Sequence, residues 1–172
     1  MTSKTTVLTN LRVLQKSRAV PQRGDLFVMQ LPDSRYLFGR VIFADVPLER
    51  APMPGVNLIY IYDQPSLTAD LESADLRPGK LLIPPQWINR MPWTKGYFKT
   101  VGNRDIGKFD LLRQHCFFRT SLSPSKPGDY VDETGKRLDR KSDPCGEWAL
   151  GSYRMIDDLV SDAMGIARVP EE

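Results

Sequence analysis

The residues of this chain best suited to chemistry are one histidine and two cysteines. His115 stands directly before Cys116, and Cys145 lies further along. A thiolate beside an imidazolium is a potential nucleophile, but neighbouring residues of a strand point to opposite faces, so these side chains should diverge. The single histidine excludes sites built from several imidazoles, and the cysteine spacing matches neither a zinc pair nor a redox Cys-x-x-Cys motif. We therefore predict two reduced thiols, Cys116 buried, and no catalytic, cofactor or metal site.

A second group of residues suits the binding of a macromolecule. Arginine, tyrosine and tryptophan dominate protein interfaces because they bury a large area and still make polar contacts. Basic and aromatic side chains also form stacking platforms for single-stranded nucleic acid, and aromatic rings often fill a hydrophobic core. The candidates for partner contact are Arg35, Tyr36, Arg40, Tyr60, Tyr62, Trp87 and Trp93, together with the acidic pair Asp157 and Asp158.

The acidic pair falls in the early turns of a predicted helix. Carboxylates near a helix N-terminus interact favourably with its dipole. Because Asp157 and Asp158 point about 100° apart around such a helix, paired acid/base chemistry of the kind used in glycoside hydrolysis is disfavoured. One of the two could instead accept a hydrogen bond from the backbone of the preceding loop.

Alternating apolar residues predict the strands that would position these side chains. Residues 24–43 resemble a β-hairpin that turns at Pro32-Asp33-Ser34, since proline fixes φ and short polar side chains hydrogen-bond nearby backbone. Residues 56–62 are apolar on both faces, which is typical of a central strand covered on each side. Further strands are predicted at 96–102 and 116–120, with a second hairpin over 130–138.

Helical spacing predicts one helix at each end of the chain. Leu8, Leu11 and Leu14 recur three apart within residues 6–19, which is typical of a short amphipathic helix. Near the other end, Ser152 is a suitable N-cap and Gly165 a suitable stop for a helix with an apolar stripe. We predict a single domain over 1–172, with a helical segment at 1–20, a mainly β region at 21–150 and a helix at 151–168.

The predicted fold class is α+β, with a strongly bent, barrel-like and mainly antiparallel sheet against which both helices pack. The formal charge is +3 but unevenly distributed. The basic residues Lys4, Arg12, Lys16, Arg18 and Arg23 all precede the first acidic residue. No stretch approaches the roughly 20 apolar residues of a membrane span, and the first residues lack the apolar run of a secretory signal. We therefore predict a cytoplasmic protein without membrane contact.

Several short motifs, in this order, resemble the immunity protein 26 family of bacterial polymorphic toxin systems. They are Gly24-Asp25-Leu26-Phe27, Tyr36, Gly39-Arg40-Val41, Ile59-Tyr60-Ile61-Tyr62-Asp63, Gly96-Tyr97-Phe98 to Val101-Gly102, His115-Cys116-Phe117, Tyr130-Val131-Asp132-Glu133-Thr134-Gly135 and Ile156-Asp157-Asp158 to Gly165-Ile166. The resemblance implies a non-enzymatic cytoplasmic inhibitor, encoded beside a toxin gene, that binds the toxin and blocks its active site or substrate access. It carries over no catalytic residue.

The partner that this resemblance implies is a cognate toxin, whose chemistry it does not identify. The alternative from the residues alone is a small nucleic-acid-binding β-barrel module that uses the basic N-terminal segment and exposed tyrosine or tryptophan side chains. A steep salt dependence of oligonucleotide binding separates the two hypotheses, because phosphate contacts release counterions. The sequence leaves the oligomeric state open.

Overall fold

A computed structural model describes residues 8–171 of the chain. This described part contains nine strands and two α-helices. The strands are β1 Asp25–Gln30, β2 Tyr36–Val46, β3 Val56–Ile61, β4 Gln86–Ile88, β5 Lys99–Asn103, β6 Cys116–Arg119, β7 Asp129–Val131, β8 Cys145–Glu147 and β9 Leu150–Gly151, and the helices are α1 Met91–Thr94 and α2 Tyr153–Met164. The α+β fold class and the mainly antiparallel pairing are confirmed.

The strands form two sheets, one of six strands and one of three. The larger sheet has the order β5-β1-β2-β3-β4-β9, and the smaller has the order β7-β6-β8. Each contains one parallel pair, β4 with β9 and β6 with β8, and the other pairs are antiparallel. Among the described residues no sheet closes on itself, so the prediction of a barrel-like sheet was wrong.

The larger sheet is covered on one face by α2 and on the other by the smaller sheet. Alternate residues of β1 divide between two core clusters: Phe27 and Met29 pack in the first, and Val28 packs in the second. The first cluster includes Ile156 and Val160 of α2, whereas the second includes Phe117 and Val131 of the smaller sheet. Both apolar faces of the larger sheet are therefore covered although the sheet stays open.

The predicted hairpin and the C-terminal helix are both confirmed. β1 pairs with β2 in the register Leu26 opposite Arg40 to Gln30 opposite Tyr36. The Ser152 hydroxyl accepts a hydrogen bond from the backbone N–H of Met155 at 3.1 Å and caps α2. At its other end Gly165 adopts φ 68°, the left-handed conformation that commonly ends a helix.

The prediction of an N-terminal helical segment is wrong over its described part, because residues 8–20 form an irregular segment without a helix. Residues 1–7 of the predicted segment, which include Lys4, lie outside the described residues. The backbone N–H groups of Arg12, Leu14 and Ser17 donate to the carbonyls of Gln30, Gly96 and Trp93. Leu11 is buried, whereas Leu8 remains half exposed. Hydrogen bonds to distant backbone therefore replace the intrahelical ones.

Candidate functional site

The structure buries most of the side chains that the sequence suggests for partner contact. Arg40, Tyr60, Tyr62, Trp87, Trp93 and Asp157 all expose 2% or less of their surface. Arg35, Tyr36 and Asp158 are partly exposed. The nine residues are not brought together, because Tyr60, Tyr62 and Trp87 belong to the second core cluster and Trp93 belongs to the first. Their contact with a partner stays a prediction.

Asp157 is fully buried and binds the backbone of another segment. Its carboxylate accepts hydrogen bonds from the backbone N–H groups of Asn10, at 3.0 Å, and Leu11, at 2.8 Å. One aspartate of the pair thus bonds to backbone, although the backbone is that of the N-terminal segment and not of the preceding loop. Asp158 instead faces the Arg168 guanidinium at 3.8 Å.

The most exposed aromatic ring lies on the connection between β5 and β6. We call residues 104–114 the Phe109 loop, because Phe109 exposes 84% of its surface at the loop's centre. The Lys108 ammonium lies 5.2 Å from the centroid of that ring. A short 3₁₀ turn, Lys108–Asp110, shapes the tip, and the Asp110 carboxylate accepts the N–H of Gly107 at 2.8 Å. The loop therefore presents an aromatic ring beside a cation.

Arg40 holds this loop from the buried side. Its guanidinium donates to the backbone carbonyls of Arg104 and Asp105, both at 2.9 Å. It also lies 3.5 Å from the Asp110 carboxylate. Since Arg40 belongs to β2, these contacts connect the loop to an inner strand of the larger sheet.

A second buried network supports the other end of the loop. The Tyr60 hydroxyl accepts the backbone N–H of Leu112 at 3.2 Å and lies 2.5 Å from Nε2 of His115. The other ring nitrogen of His115, Nδ1, lies 3.4 Å from a carboxylate oxygen of Glu133. One hydrogen-bonded chain thus links the loop, β3 and the hairpin after β7.

The environment shifts the pKa values of the two end groups of this chain, Tyr60 and Glu133. Burial raises the pKa of Tyr60 to about 12, so the phenol keeps its proton at neutral pH, and its hydroxyl shares a hydrogen bond with Nε2 of His115. The hydrogen bond from His115 lowers the pKa of Glu133, which therefore accepts as a carboxylate. His115 and Tyr60 are 3% and 0% exposed. A substrate has no access to either group, so the network is suited to positioning.

A groove of about 520 Å³ runs beside Phe109. Its lining includes Pro78, Lys108, Phe109, Leu111, Leu112 and Arg113. The charged residues among the described lining are the two cations. Lys108 and Arg113 make no ion pair with any described residue. The groove thus combines an apolar floor with a positive rim.

The neighbouring loop adds cations whose charge is partly compensated. The Asp75 carboxylate lies 2.6 Å from the Arg77 guanidinium and 3.2 Å from the Lys80 ammonium. The hydrogen bond from Arg77 holds the pKa of Asp75 well below its usual range. This carboxylate is therefore ionised at neutral pH. The Phe109 loop holds three basic and two acidic residues, and residues 75–80 hold two basic and one acidic residue, so each segment contributes one net positive charge to the surface.

Sequence reasoning missed Phe109 because apolar periodicity identifies core positions. The available signal is local: a single aromatic residue stands between Lys108 and Asp110, just after Gly107, outside any alternating run.

The described residues contain no group of three or more histidine, cysteine, aspartate or glutamate side chains that could hold a metal. None of the described helices has the length and hydropathy needed to cross a membrane.

The family model of immunity protein 26 matches residues 22–127. The chain belongs to the immunity protein 26 family. The match extends from just before β1 to the loop after β6 and includes Arg40, Tyr60 and the whole Phe109 loop. It confirms the resemblance drawn from the sequence motifs, although it ends before Glu133 and α2. None of the curated proteins or solved structures compared with this chain matches it.

Proposed function

We propose that this protein is a non-enzymatic immunity protein that binds a cognate bacterial toxin and neutralises it by blocking its active site or substrate access. Membership of the immunity protein 26 family carries this proposal. The burial of His115, Tyr60 and Cys116 supports a binding role, because the core shields these three reactive side chains from a substrate. Binding without turnover is the expected behaviour.

The toxin-binding surface in this proposal is the Phe109 loop. Phenylalanine and arginine are enriched at protein interfaces, and this loop exposes Phe109 beside a groove that Arg113 also lines. The bonds from Arg40 and to Tyr60 restrain the loop before binding, so little conformational entropy is lost on association. Its groove accepts an apolar side chain of the partner.

The partner surface that fits this loop is acidic. Lys108 and Arg113 line the groove, and Arg104 is exposed at the start of the same loop. The two carboxylates of the loop, Asp105 and Asp110, are not part of the groove lining, and Asp110 faces Arg40. Complementary charge speeds association and selects against basic surfaces. An acidic patch beside the toxin's active site would place the loop where it excludes substrate.

Co-expression with the toxin encoded beside its gene tests the function. Cells that produce the toxin should stop growing, and co-expression of wild type should restore growth. Failure of rescue, with both proteins soluble, contradicts the proposal. Steep, salt-dependent binding of the purified protein to a single-stranded oligonucleotide without toxin binding would favour a nucleic-acid module instead.

A charge-reversal pair tests the surface. Lys108→Glu with Arg113→Glu should abolish rescue, whereas Lys126→Glu with Lys136→Glu, which changes the net charge equally at exposed positions elsewhere, should keep it. Equal rescue by both double variants would place the interface away from the Phe109 loop. Soluble yield and the unfolding transition of each variant serve as folding controls.

A further inference from the structure

Two cysteines that are distant in the sequence meet in the smaller sheet. Cys116 of β6 and Cys145 of β8 are register partners in a parallel pair, 29 positions apart in the chain. Their sulfur atoms lie 3.0 Å apart, and both are free thiols. The linear spacing of the two residues gives no sign of this contact.

The backbone geometry of that contact suits a covalent bond. Adjacent strands lie about 4.7–4.9 Å apart, and register partners point their side chains to the same face. Disulfides join residues whose Cα atoms are about 4.4–6.8 Å apart. A bond between the two sulfurs therefore requires side-chain adjustment and no rearrangement of the strands.

We propose that Cys116 and Cys145 are a modification site at which a reversible disulfide joins β8 to β6. β8 is a three-residue edge strand in its sheet, so a covalent link at its first residue prevents its separation from β6. The closed segment contains β7 and Glu133, the outer partner of His115. The inference is independent of toxin binding.

A small-molecule disulfide such as oxidised glutathione supplies the oxidant. The partly exposed Cys145 loses its proton, attacks one glutathione sulfur and releases one glutathione thiolate. Cys116, 1% exposed, then loses its proton and attacks the Cys145 sulfur, which breaks the mixed disulfide and releases the second thiolate. The two protons pass to the two glutathione thiolates, so two cysteines are oxidised and one oxidised glutathione is reduced to two molecules of glutathione.

The rate of this exchange depends on the thiolate fraction. Burial raises the pKa of Cys145 to about 12, and the contact with Cys116 and the charge of Glu147 act in the same direction, whereas Lys141 lowers it. Attack needs the thiolate, so exchange should be slow at neutral pH. The test is accordingly run to equilibrium in mildly alkaline buffer.

The experiment equilibrates the full chain in glutathione buffers of graded redox ratio, then alkylates it in denaturant and measures the intact mass. Folded wild type should become an unalkylated species lighter by two hydrogens, with a peptide that links Cys116 to Cys145. The same chain held unfolded in urea should need a buffer more oxidising by about a hundredfold, because loop closure then costs entropy.

Single substitutions complete the test. Cys145→Ser, at the more exposed position, and Cys116→Ser should both lose the crosslinked species and show at most a glutathione adduct. Full alkylation of folded wild type in the most oxidising buffer would overturn the inference. So would a glutathione adduct without a crosslink, a disulfide between two chains, or equal oxidation of folded and unfolded protein.

Discussion

Replacement of Arg40 by methionine should release the Phe109 loop from the sheet. The substitution keeps an unbranched side chain in a site where only 2% of the arginine is exposed, but removes two hydrogen bonds of 2.9 Å to the carbonyls of Arg104 and Asp105. Hydrogen bonds that involve a charged group contribute about 1.5–3 kcal/mol each. Because water can reach these carbonyls on exposed residues once the guanidinium is gone, we expect Arg40→Met to cost about 2–3 kcal/mol in total.

The ion pair of Arg40 with Asp110 adds little to that figure. Its two groups lie 3.5 Å apart, and the aspartate side chain is 36% exposed, so solvent screens the attraction. Arg35→Met is the matched control on the same hairpin. Its partner Asp33 is half exposed, and an exposed pair of this kind contributes about 0–1 kcal/mol.

Urea unfolding gives the two free-energy changes, and hydrogen exchange locates them. In Arg40→Met the amide of Leu112 and the amides at the loop tip should exchange faster than the global loss of stability requires, since the loop opens on its own. Equal destabilisation by the two variants would refute the role given to Arg40. Unchanged exchange in the loop relative to the rest of the chain would do the same.

Three further predictions follow from single contacts. The hydrogen bond from the His115 imidazole lowers the pKa of Glu133 below the ordinary glutamate value of 4.5, so the Glu133 carboxylate stabilises the fold at pH values above 4.5. That stability should be lost as the pH falls through the pKa that Glu133 has in the folded protein. The urea midpoint of wild type should therefore fall in this pH range, and that of Glu133→Gln should not show this loss. Gly39→Ala should cost about 1–3 kcal/mol or more in urea unfolding, because the new Cβ would lie 2.2 Å from a buried phenyl ring, whereas Gly79→Ala, with open space, should be nearly neutral. In the same assay Asp157→Asn should cost about 2 kcal/mol, because a buried carboxylate accepts two backbone N–H groups, and Asp158→Asn should cost far less.

Each of these predictions has an outcome that contradicts it. Parallel acid unfolding of wild type and Glu133→Gln would show that the carboxylate gains nothing from its imidazole partner. Equal stability of Gly39→Ala and Gly79→Ala would mean that the sheet yields to the added methyl group. If Asp157→Asn is no less stable than Asp158→Asn, the N-terminal segment is not anchored by the buried carboxylate.

The elements that sequence patterns predicted are those fixed by local rules. Alternation within residues 24–43 specifies a hairpin, and Ser152 and Gly165 supply cap chemistry at the two ends of α2. The N-terminal helix failed because the leucine spacing at 8, 11 and 14 is only a weak signal in a short segment. Carbonyls of Gln30, Gly96 and Trp93 offered its backbone other partners, and these are distant in the sequence.

The candidate site was harder to predict because residue type does not determine exposure. Arg40 and Tyr60 have the chemistry of interface residues, yet their neighbours bury them and they support the Phe109 loop from beneath. The residue that the loop exposes, Phe109, belongs to no repeating pattern. Likewise, Cys116 meets Cys145 only because β6 and β8 are adjacent in the folded sheet.

Titration calorimetry of the purified toxin with this protein tests the central claim most directly. Wild type should bind with a defined stoichiometry, and Phe109→Ala should weaken the affinity by about thirtyfold or more, the effect of losing a hot-spot side chain. Leu122→Ala, which truncates a fully exposed apolar side chain outside the Phe109 loop, should bind like wild type. Unchanged affinity of Phe109→Ala, in a variant that unfolds at the wild-type urea midpoint, would contradict the claim that this loop binds the toxin.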